Sequence, residues 1–271
     1  MKGANFIHMN RIDEHFAELK RKGRKALIAF LTVGDPSIEV SAEAIKTMQA
    51  EGVDLIELGV PFSDPAADGV TIQKADERAL ANGTDINMVF ELVSELRSDI
   101  KIPMTFLLYY NVMFQYGLEA FFKKCAEVGI DGLIIPDLPY EESGEIAEYV
   151  DKYGVYQIFL VSPTSDERIE KIASRAKGFL YCVSSLGVTG EKSEFRTNFE
   201  KFFGDIKKYS QVPACVGFGI SNGEQVRELS AYCDGAIVGS AIVKAIADGD
   251  TLEERMSNLK AKIRDLKTGI E

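Results

Sequence analysis

One acidic residue, Glu57, lies inside an apolar run, between Ile56 and Leu58. Burying an unpaired carboxylate in such a run is costly. Desolvation also raises the pKa of a carboxyl group towards neutrality, where it can both give and take a proton. The alternative is a structural ion pair with a lysine or arginine of another strand, but the predicted strands contain neither residue. The sequence therefore favours Glu57 as a general acid–base.

Two aspartates follow in the segment VPFSDPAADG, residues 60–69. Its content of Pro, Asp and Gly predicts a rigid, turned loop. Asp68 precedes a glycine, as turn-forming aspartates commonly do, but it is also close enough in sequence to Glu57 for both carboxylates to face one cavity. Asp64 stands in the exposed context Ser-Asp-Pro and suits a surface contact. The loop thus offers a second carboxylate for the site and one for the surface.

Three glycine-containing segments come late in the chain. They are LGVTGEKS (186–193), GFGIS (217–221) and GSAIVK (239–244). Glycine lets backbone N–H groups approach an anion, and a helix beginning in the last segment adds a favourable dipole. Loops after the last two strands hold phosphate in many barrels. The segments predict a phosphorylated small ligand, with GVTGEKS, residues 187–193, as a lid over it.

Eight short apolar runs must position these residues, and helix-patterned segments alternate with them. The runs are continuously apolar rather than alternating, which is typical of parallel strands buried on both faces. The predicted strands cover residues 26–31, 54–60, 104–110, 132–137, 155–161, 178–184, 213–219 and 235–240.

The order of these elements predicts the fold. We expect a single (β/α)8 TIM barrel domain over residues 1–271, with an extra N-terminal helix and a C-terminal helix. An open doubly wound sheet is the alternative, but it usually carries a glycine-rich dinucleotide turn after its first strand, and FLTVGDP (30–36) is not one. The closing helix is expected on the barrel exterior, since apolar side chains recur at helical spacing at Leu252, Met256, Leu259, Ile263 and Leu266.

Composition narrows the function. Lys and Arg total 31 against 42 Asp and Glu, and the formal charge of −11 argues against a nucleic-acid or anionic-membrane partner. The two histidines, His8 and His15, both fall in the opening segment, so a Ser-His-Asp triad or a histidine-rich metal site is not expected. The four cysteines lack metal or redox spacing and are interpreted as buried thiols of a reducing compartment. Without a signal peptide or an apolar membrane span, a cytoplasmic location is expected.

The chain resembles the tryptophan synthase α subunit family over nearly its whole length. The resemblance rests on ELGVPFSDPAADG (57–69), LLYYN (107–111), GVTG (187–190), GFGIS and GSAIVK, in the family's order. The first segment is long and specific. The resemblance implies a lyase that cleaves indole-3-glycerol phosphate by a retro-aldol reaction to indole and glyceraldehyde 3-phosphate.

The same resemblance assigns roles to individual residues. It implies that Glu57 shuttles protons during cleavage and that Asp68 accepts the indole N–H and stabilises positive charge on the ring. Tyr181 falls beside the scissile region, and Thr189 belongs to a loop that orders against Asp68. Further substrate contacts are implied for Phe30, Leu107 and Phe218 around the indole, and for Gly190, Gly219, Gly239 and Ser240 around the phosphate.

A partner is implied as well. Pro61 and Asp64 match a loop that faces a β subunit, which condenses the released indole with serine on its own pyridoxal phosphate, in an α2β2 assembly. No metal or cofactor is implied in this chain. Two rival functions are another phosphosugar barrel enzyme, which would be expected to carry catalytic lysines or histidines at strand ends, and a non-catalytic barrel that only binds and regulates a β subunit.

Overall fold

The strands of the computed structural model form one parallel barrel. The structure describes residues 9–163, 166–183, 192–217 and 219–270. Nine strands lie within these ranges: β1 (Ala26–Thr32), β2 (Leu55–Gly59), β3 (Met104–Leu107), β4 (Gly132–Ile134), β5 (Tyr156–Ile158), β6 (Leu160–Val161), β7 (Leu180–Val183), β8 (Ala214–Gly217) and β9 (Gly235–Val238). They pair in the order β5-β4-β3-β2-β1-β9-β8-β7-β6, and each pair is parallel.

The two ends of this order, β5 and β6, belong to one segment of the chain. Phe159 alone separates them, and β5 pairs with β4 whereas β6 pairs with β7. The strand predicted over residues 155–161 is therefore broken in its middle. Phe159 links the two end strands of the sheet covalently. The predicted TIM barrel is confirmed, with its fifth strand in two parts.

Helices connect successive strands and surround the barrel. Polar N-caps begin several of them: the Ser37 hydroxyl accepts a hydrogen bond from the N–H of Val40, and Thr251 and Glu254 form a capping box. The helices are α1 (Arg11–Arg21), α2 (Ile38–Ala50), α3 (Val70–Ala81), α4 (Ile86–Leu96), α5 (Tyr110–Tyr116), α6 (Leu118–Val128), α7 (Ala147–Tyr153), α8 (Asp166–Ala173), α9 (Lys192–Tyr209), α10 (Gly223–Ser230), α11 (Ser240–Ala247) and α12 (Leu252–Lys267), with a 3-10 helix at Tyr140–Glu145.

The C-terminal helix lies on the barrel exterior, as predicted. α12 packs against α11, α2 and α10. Leu252, its first residue, is 47% exposed, so the apolar stripe starts one turn later than the sequence pattern indicates. The buried side chains of the stripe are Met256, Leu259, Ile263 and Leu266.

Inward-facing side chains fill the lower half of the barrel. Ile28, Leu55 and Ile237 belong to one buried cluster that is separate from the core between strands and helices. The N-terminal helix α1 closes this cluster from below, because Ile12 and Phe16 are buried in it. The predicted extra N-terminal helix thus has a definite structural role: it plugs the amino end of the barrel.

Three aspartates brace that amino end. Asp54, Asp131 and Asp234 each accept a hydrogen bond from a backbone N–H at the start of the strand that precedes them in sequence, at 2.9, 2.9 and 3.0 Å. Two of them also hold α1, since Arg11 lies 2.8 Å from Asp131 and His15 lies 3.3 Å from Asp54. These carboxylates are paired and structural.

Some strand boundaries differ from the prediction. The third strand was expected to reach residue 110 but ends at Leu107, because Tyr110 already begins α5. The eighth predicted run was expected to include Ser240, which instead opens α11. In both places the residues after the strand turn into a helix at the carboxyl end of the barrel. The single-domain assignment over residues 1–271 stays a prediction.

Candidate active site

Glu57 is the central residue of β2, and its side chain faces the barrel interior. Its register neighbours are Phe30 on β1 and Thr105 on β3. Glu57 is 0% exposed, and neither carboxylate oxygen has a hydrogen-bond partner among the residues that the structure describes. The ion-pair alternative therefore finds no partner within that part of the chain.

Burial without a partner changes the acidity of this group. Desolvation raises the pKa of Glu57 from its ordinary value of 4.5 to about 8. A carboxyl group in this range is mostly protonated at neutral pH but ionises readily. Such a group has the acidity that a general acid–base needs, and the role of Glu57 stays a prediction.

The raised pKa predicts a pH-dependent stability difference. Between about 4.5 and about 8 the folded protein holds a proton on Glu57 that the unfolded chain has released, so this group's contribution to stability falls as pH rises. Glu57→Gln removes the titration. We expect the unfolding free energy of the variant, relative to that of the wild type, to increase between about pH 4.5 and about pH 8, at up to about 1.4 kcal/mol per pH unit, and to level off above that range. Urea titrations of both proteins across this range measure it; a gain that is constant with pH would contradict a raised pKa.

Asp68 ends the loop after β2 and is held by a tyrosine. Its Oδ2 accepts a hydrogen bond from the Tyr109 hydroxyl at 2.7 Å, and the Tyr109 oxygen in turn accepts one from the N–H of Ala67 at 2.9 Å. Burial raises the pKa of Asp68, and the hydrogen bond from Tyr109 partly offsets this. Phe62 stacks on the Tyr109 ring with centroids 5.1 Å apart. The carboxylate therefore has a fixed orientation.

Sequence reasoning did not identify Tyr109 as a site residue. It lies in the segment LLYYN, which was quoted for the family resemblance, and it is 4% exposed. Its hydrogen bond to Asp68 joins residues that are 41 positions apart. A polar aromatic residue directly after a strand was the available signal.

Tyr181, on β7, lies near both carboxylates. Burial raises the pKa of its hydroxyl, and the proximity of Glu57 and Asp68 raises it further. The hydroxyl therefore stays protonated and remains a hydrogen-bond donor. Gly217 on β8 leaves room for the ring, since a Cβ atom there would lie 2.8 Å from the Tyr181 hydroxyl oxygen. The structure brings these three predicted residues, Glu57, Asp68 and Tyr181, around one space.

An apolar wall stands next to Glu57. Phe30 forms a buried cluster with Ala75 and Val243, and Leu107 packs against it. Gly59 allows the Phe30 ring to lie across β2, because a Cβ atom at Gly59 would be 2.5 Å from the ring. Phe30 and Leu107 thus form an apolar surface, and their contact with an indole ring stays a prediction.

Two of the predicted phosphate residues border one cleft. Gly219, with φ +71°, and Ser240, at the start of α11, both line a cleft of about 750 Å³. Lys244 and Lys262 line it, as do Asp248 and Asp265, and Lys262 lies 3.5 Å from Asp265. Gly239 is the residue before α11, and a Cβ atom there would be 3.6 Å from Phe30. The helix N-terminus and the left-handed glycine are the features of this cleft that suit an anion.

The remaining predicted residues fall in three places. Asp64 is exposed, and its Oδ2 accepts a hydrogen bond from the Ser63 hydroxyl at 2.6 Å. Pro61 is buried, so of the two predicted partner residues only Asp64 presents its side chain to solvent. Outside the described residues lie Thr189, Gly190 and Phe218.

The described residues also bear on metal binding, membrane spans and the cysteines. Within the described ranges no group of three or more His, Cys, Asp or Glu side chains is arranged to hold a metal ion. In the same part of the chain, no helix has the length and apolar character needed to cross a membrane. The four cysteines are buried and free, as predicted.

The fold and the site are those of a TIM-barrel enzyme, with the buried Glu57 on β2 and the partly buried Asp68 in the loop that follows it. The family model described as "Tryptophan synthase alpha chain" matches residues 16–271. The chain belongs to the tryptophan synthase alpha chain family.

Individual relatives agree over nearly the full length. The chain is 48% identical to a tryptophan synthase alpha chain from Thermoanaerobacter sp., covering 96% of this chain and 99% of the relative. It is 48% identical to that of Methanocaldococcus jannaschii, covering 87% and 84%. Among solved structures, a protein from Aquifex aeolicus superposes with a TM-score of 0.88 at 39% identity, over 97% of this chain and 100% of the other. Tryptophan synthase from M. tuberculosis superposes with a TM-score of 0.86 at 30% identity, over 97% and 99%.

Proposed function

We propose that this chain cleaves indole-3-glycerol phosphate to indole and glyceraldehyde 3-phosphate, using Glu57 and Asp68. The observation that carries the proposal is the burial of Glu57 with no hydrogen-bond partner among the described residues, in a member of the tryptophan synthase alpha chain family. Such a position is too costly for a structural role alone. A proton carrier next to an apolar wall and an anion cleft is what this substrate requires.

Glu57 performs two proton transfers. In the protonated state that its raised pKa favours, it gives its proton to C3 of the indole. The resulting carboxylate then takes the proton of the glycerol hydroxyl, the bond between indole C3 and the glycerol chain breaks, and its electron pair returns to the ring as the aldehyde forms. Glu57 ends the cycle protonated, so neither a metal nor a redox cofactor of this chain enters the proton balance.

Asp68 and Tyr181 support this chemistry electrostatically. Protonation at C3 places positive charge on the indole ring, and a carboxylate that accepts the indole N–H stabilises it. The hydrogen bond from Tyr109 supports this role, because it keeps Asp68 oriented while the second oxygen remains available. The Tyr181 hydroxyl, close to both carboxylates, is suited to orient the substrate.

The substrate pocket extends across the barrel mouth. We assign Phe30, Leu107 and Phe218 to the indole, and Gly190, Gly219, Gly239 and Ser240 to the phosphate, with Thr189 in the loop that closes over Asp68. The neighbourhood of Phe30 and Leu107 and the shared cleft of Gly219 and Ser240 support this arrangement.

We further propose a β-subunit partner that carries pyridoxal phosphate and receives the indole in an α2β2 assembly. Family membership supports a partner, and the exposed Asp64, beside Pro61 at the mouth of the barrel, is our assigned contact.

The buried free thiols support a cytoplasmic location.

Indole release by the isolated chain, with and without a β subunit, tests the function. Turnover of indole-3-glycerol phosphate in either assay supports the lyase. Absence of turnover in both assays, together with stimulation of the β subunit, would instead indicate a barrel that only binds and regulates its partner.

The tight contact at Gly217 gives a structural prediction. Gly217→Ala places a methyl group 2.8 Å from the Tyr181 ring and hydroxyl, so the ring must shift from its present position near the two carboxylates. We expect kcat/KM for indole release to fall about 10- to 100-fold, since small misplacements in a site have effects of this size. Gly204→Ala in α9 is the matched control, because a Cβ atom there meets nothing within 4 Å. Equal activities of the two variants would refute a role for the Tyr181 position.

A further inference from the structure

Two buried polar side chains on neighbouring strands have no hydrogen-bond partner in the part of the chain that the structure describes. Thr105 is 0% exposed, and its Oγ1 has no hydrogen-bond partner among the described residues. Glu57 is in the same situation, and the two residues are register partners on β2 and β3. Buried polar groups in proteins nearly always have partners, so an adjacent pair without any calls for a functional explanation.

The geometry of the sheet limits what each group can reach. Neighbouring strands are about 4.8 Å apart, and register partners in a parallel pair project to the same face. On its other side Thr105 is in register with Gly132 of β4, which offers no side chain. The register neighbour of Thr105 that carries a side chain is therefore Glu57 on β2.

The other described side chains named here as neighbours of Glu57 include no cation, and most of them are poor hydrogen-bond donors. Phe30 is its register partner on β1, Cys215 on β8 lies near it with a thiol whose pKa burial raises strongly, and Asp68 is acidic. Tyr181 is a donor but also lies near Asp68. Thr105 differs from Tyr181 in that its hydroxyl lies on the neighbouring strand, in direct register with Glu57.

We propose that the Thr105 hydroxyl donates a hydrogen bond to Glu57 when the carboxylate is ionised, which makes Thr105 a positioning residue for the proton carrier. The inference rests on the proposed function of Glu57. The protonated acid needs no donor, whereas the carboxylate formed after protonation of the indole does. The hydroxyl turns to Glu57 in that half of the cycle, lowers its pKa and fixes the oxygen that takes the next proton.

The test measures the ionisation of Glu57 without reference to activity. Ligand-free protein with 13C-labelled glutamate side chains is titrated by NMR, and the Glu57 carboxyl signal is assigned by its loss in Glu57→Gln. Thr105→Val keeps the side-chain shape but removes the donor, and we expect the Glu57 pKa to rise by about one unit. Thr105→Ser should restore it. Thr47→Val, which removes a buried hydroxyl on the outer helix α2, should leave it unchanged.

The outcomes separate this inference from the proposed function. The limb of the kcat/KM profile that reports Glu57 should move with the NMR pKa in Thr105→Val. An unchanged Glu57 pKa in Thr105→Val, or in Thr105→Ala if the valine variant does not fold, would overturn the role of Thr105. Full activity of Glu57→Gln would instead overturn the proposed function, while a pKa shift in Thr105→Val would still establish the hydrogen bond.

Discussion

Glu57→Gln is expected to lower kcat for indole release by about 10²–10⁴-fold, with little change in KM. Glutamine has nearly the same size and polarity as the protonated acid, so the pocket keeps its shape. It cannot give or take a proton, however, and both transfers of the retro-aldol reaction then lack their carrier. Steady-state kinetics with indole-3-glycerol phosphate measure the loss.

A matched exchange tests whether the effect belongs to the position. Glu95→Gln makes the same chemical change on the exposed face of α4 and should leave kcat unaltered. Circular dichroism should show both variants folded. Turnover of Glu57→Gln within a few-fold of the wild type would remove Glu57 from the chemistry.

Asp68→Asn is expected to lower kcat/KM by about 10²–10³-fold, the usual effect of deleting one electrostatic contact to a transition state. The amide keeps one acceptor oxygen for the Tyr109 hydroxyl, so the loop after β2 can retain its conformation. The substitution removes the negative charge that stabilises the positive charge on the protonated ring. The loss should therefore fall mainly on kcat.

Two companion variants define the contribution of charge and of orientation. Tyr109→Phe leaves the carboxylate but removes its hydrogen-bond donor, and its effect should be smaller than that of Asp68→Asn. Asp99→Asn removes one exposed carboxylate beyond the end of α4 and should have no effect. A larger loss in Tyr109→Phe than in Asp68→Asn would mean that the tyrosine, rather than the carboxylate, is the essential group.

The local pattern of the sequence was sufficient to predict some features of the fold and the site. The burial of Glu57 could be predicted because its apolar neighbours are adjacent in sequence, and the barrel because strand-like and helix-like segments alternate regularly. Contacts between distant segments could not be predicted from the local pattern. Thr105 meets Glu57 only through the β2–β3 register, and Tyr109 reaches Asp68 only because α5 starts where β3 ends.

The break in the fifth strand is another feature that the local sequence could not predict. Residues 155–161 are as apolar as the other runs, and nothing in their spacing marks Phe159. The split arises because residues on either side of Phe159 pair with different strands, β4 and β7, where the sheet closes on itself. Closure is a property of the whole barrel and has no local signature.

The plug formed by α1 lies at the amino end of the barrel, where Ile12 and Phe16 are buried. At the opposite rim the loop after β2 carries Asp64, and we expect substrate to enter and product to leave there. An acceptor that is to receive a small aromatic product directly has to sit over that rim, and it would then also control the arrival of the next substrate.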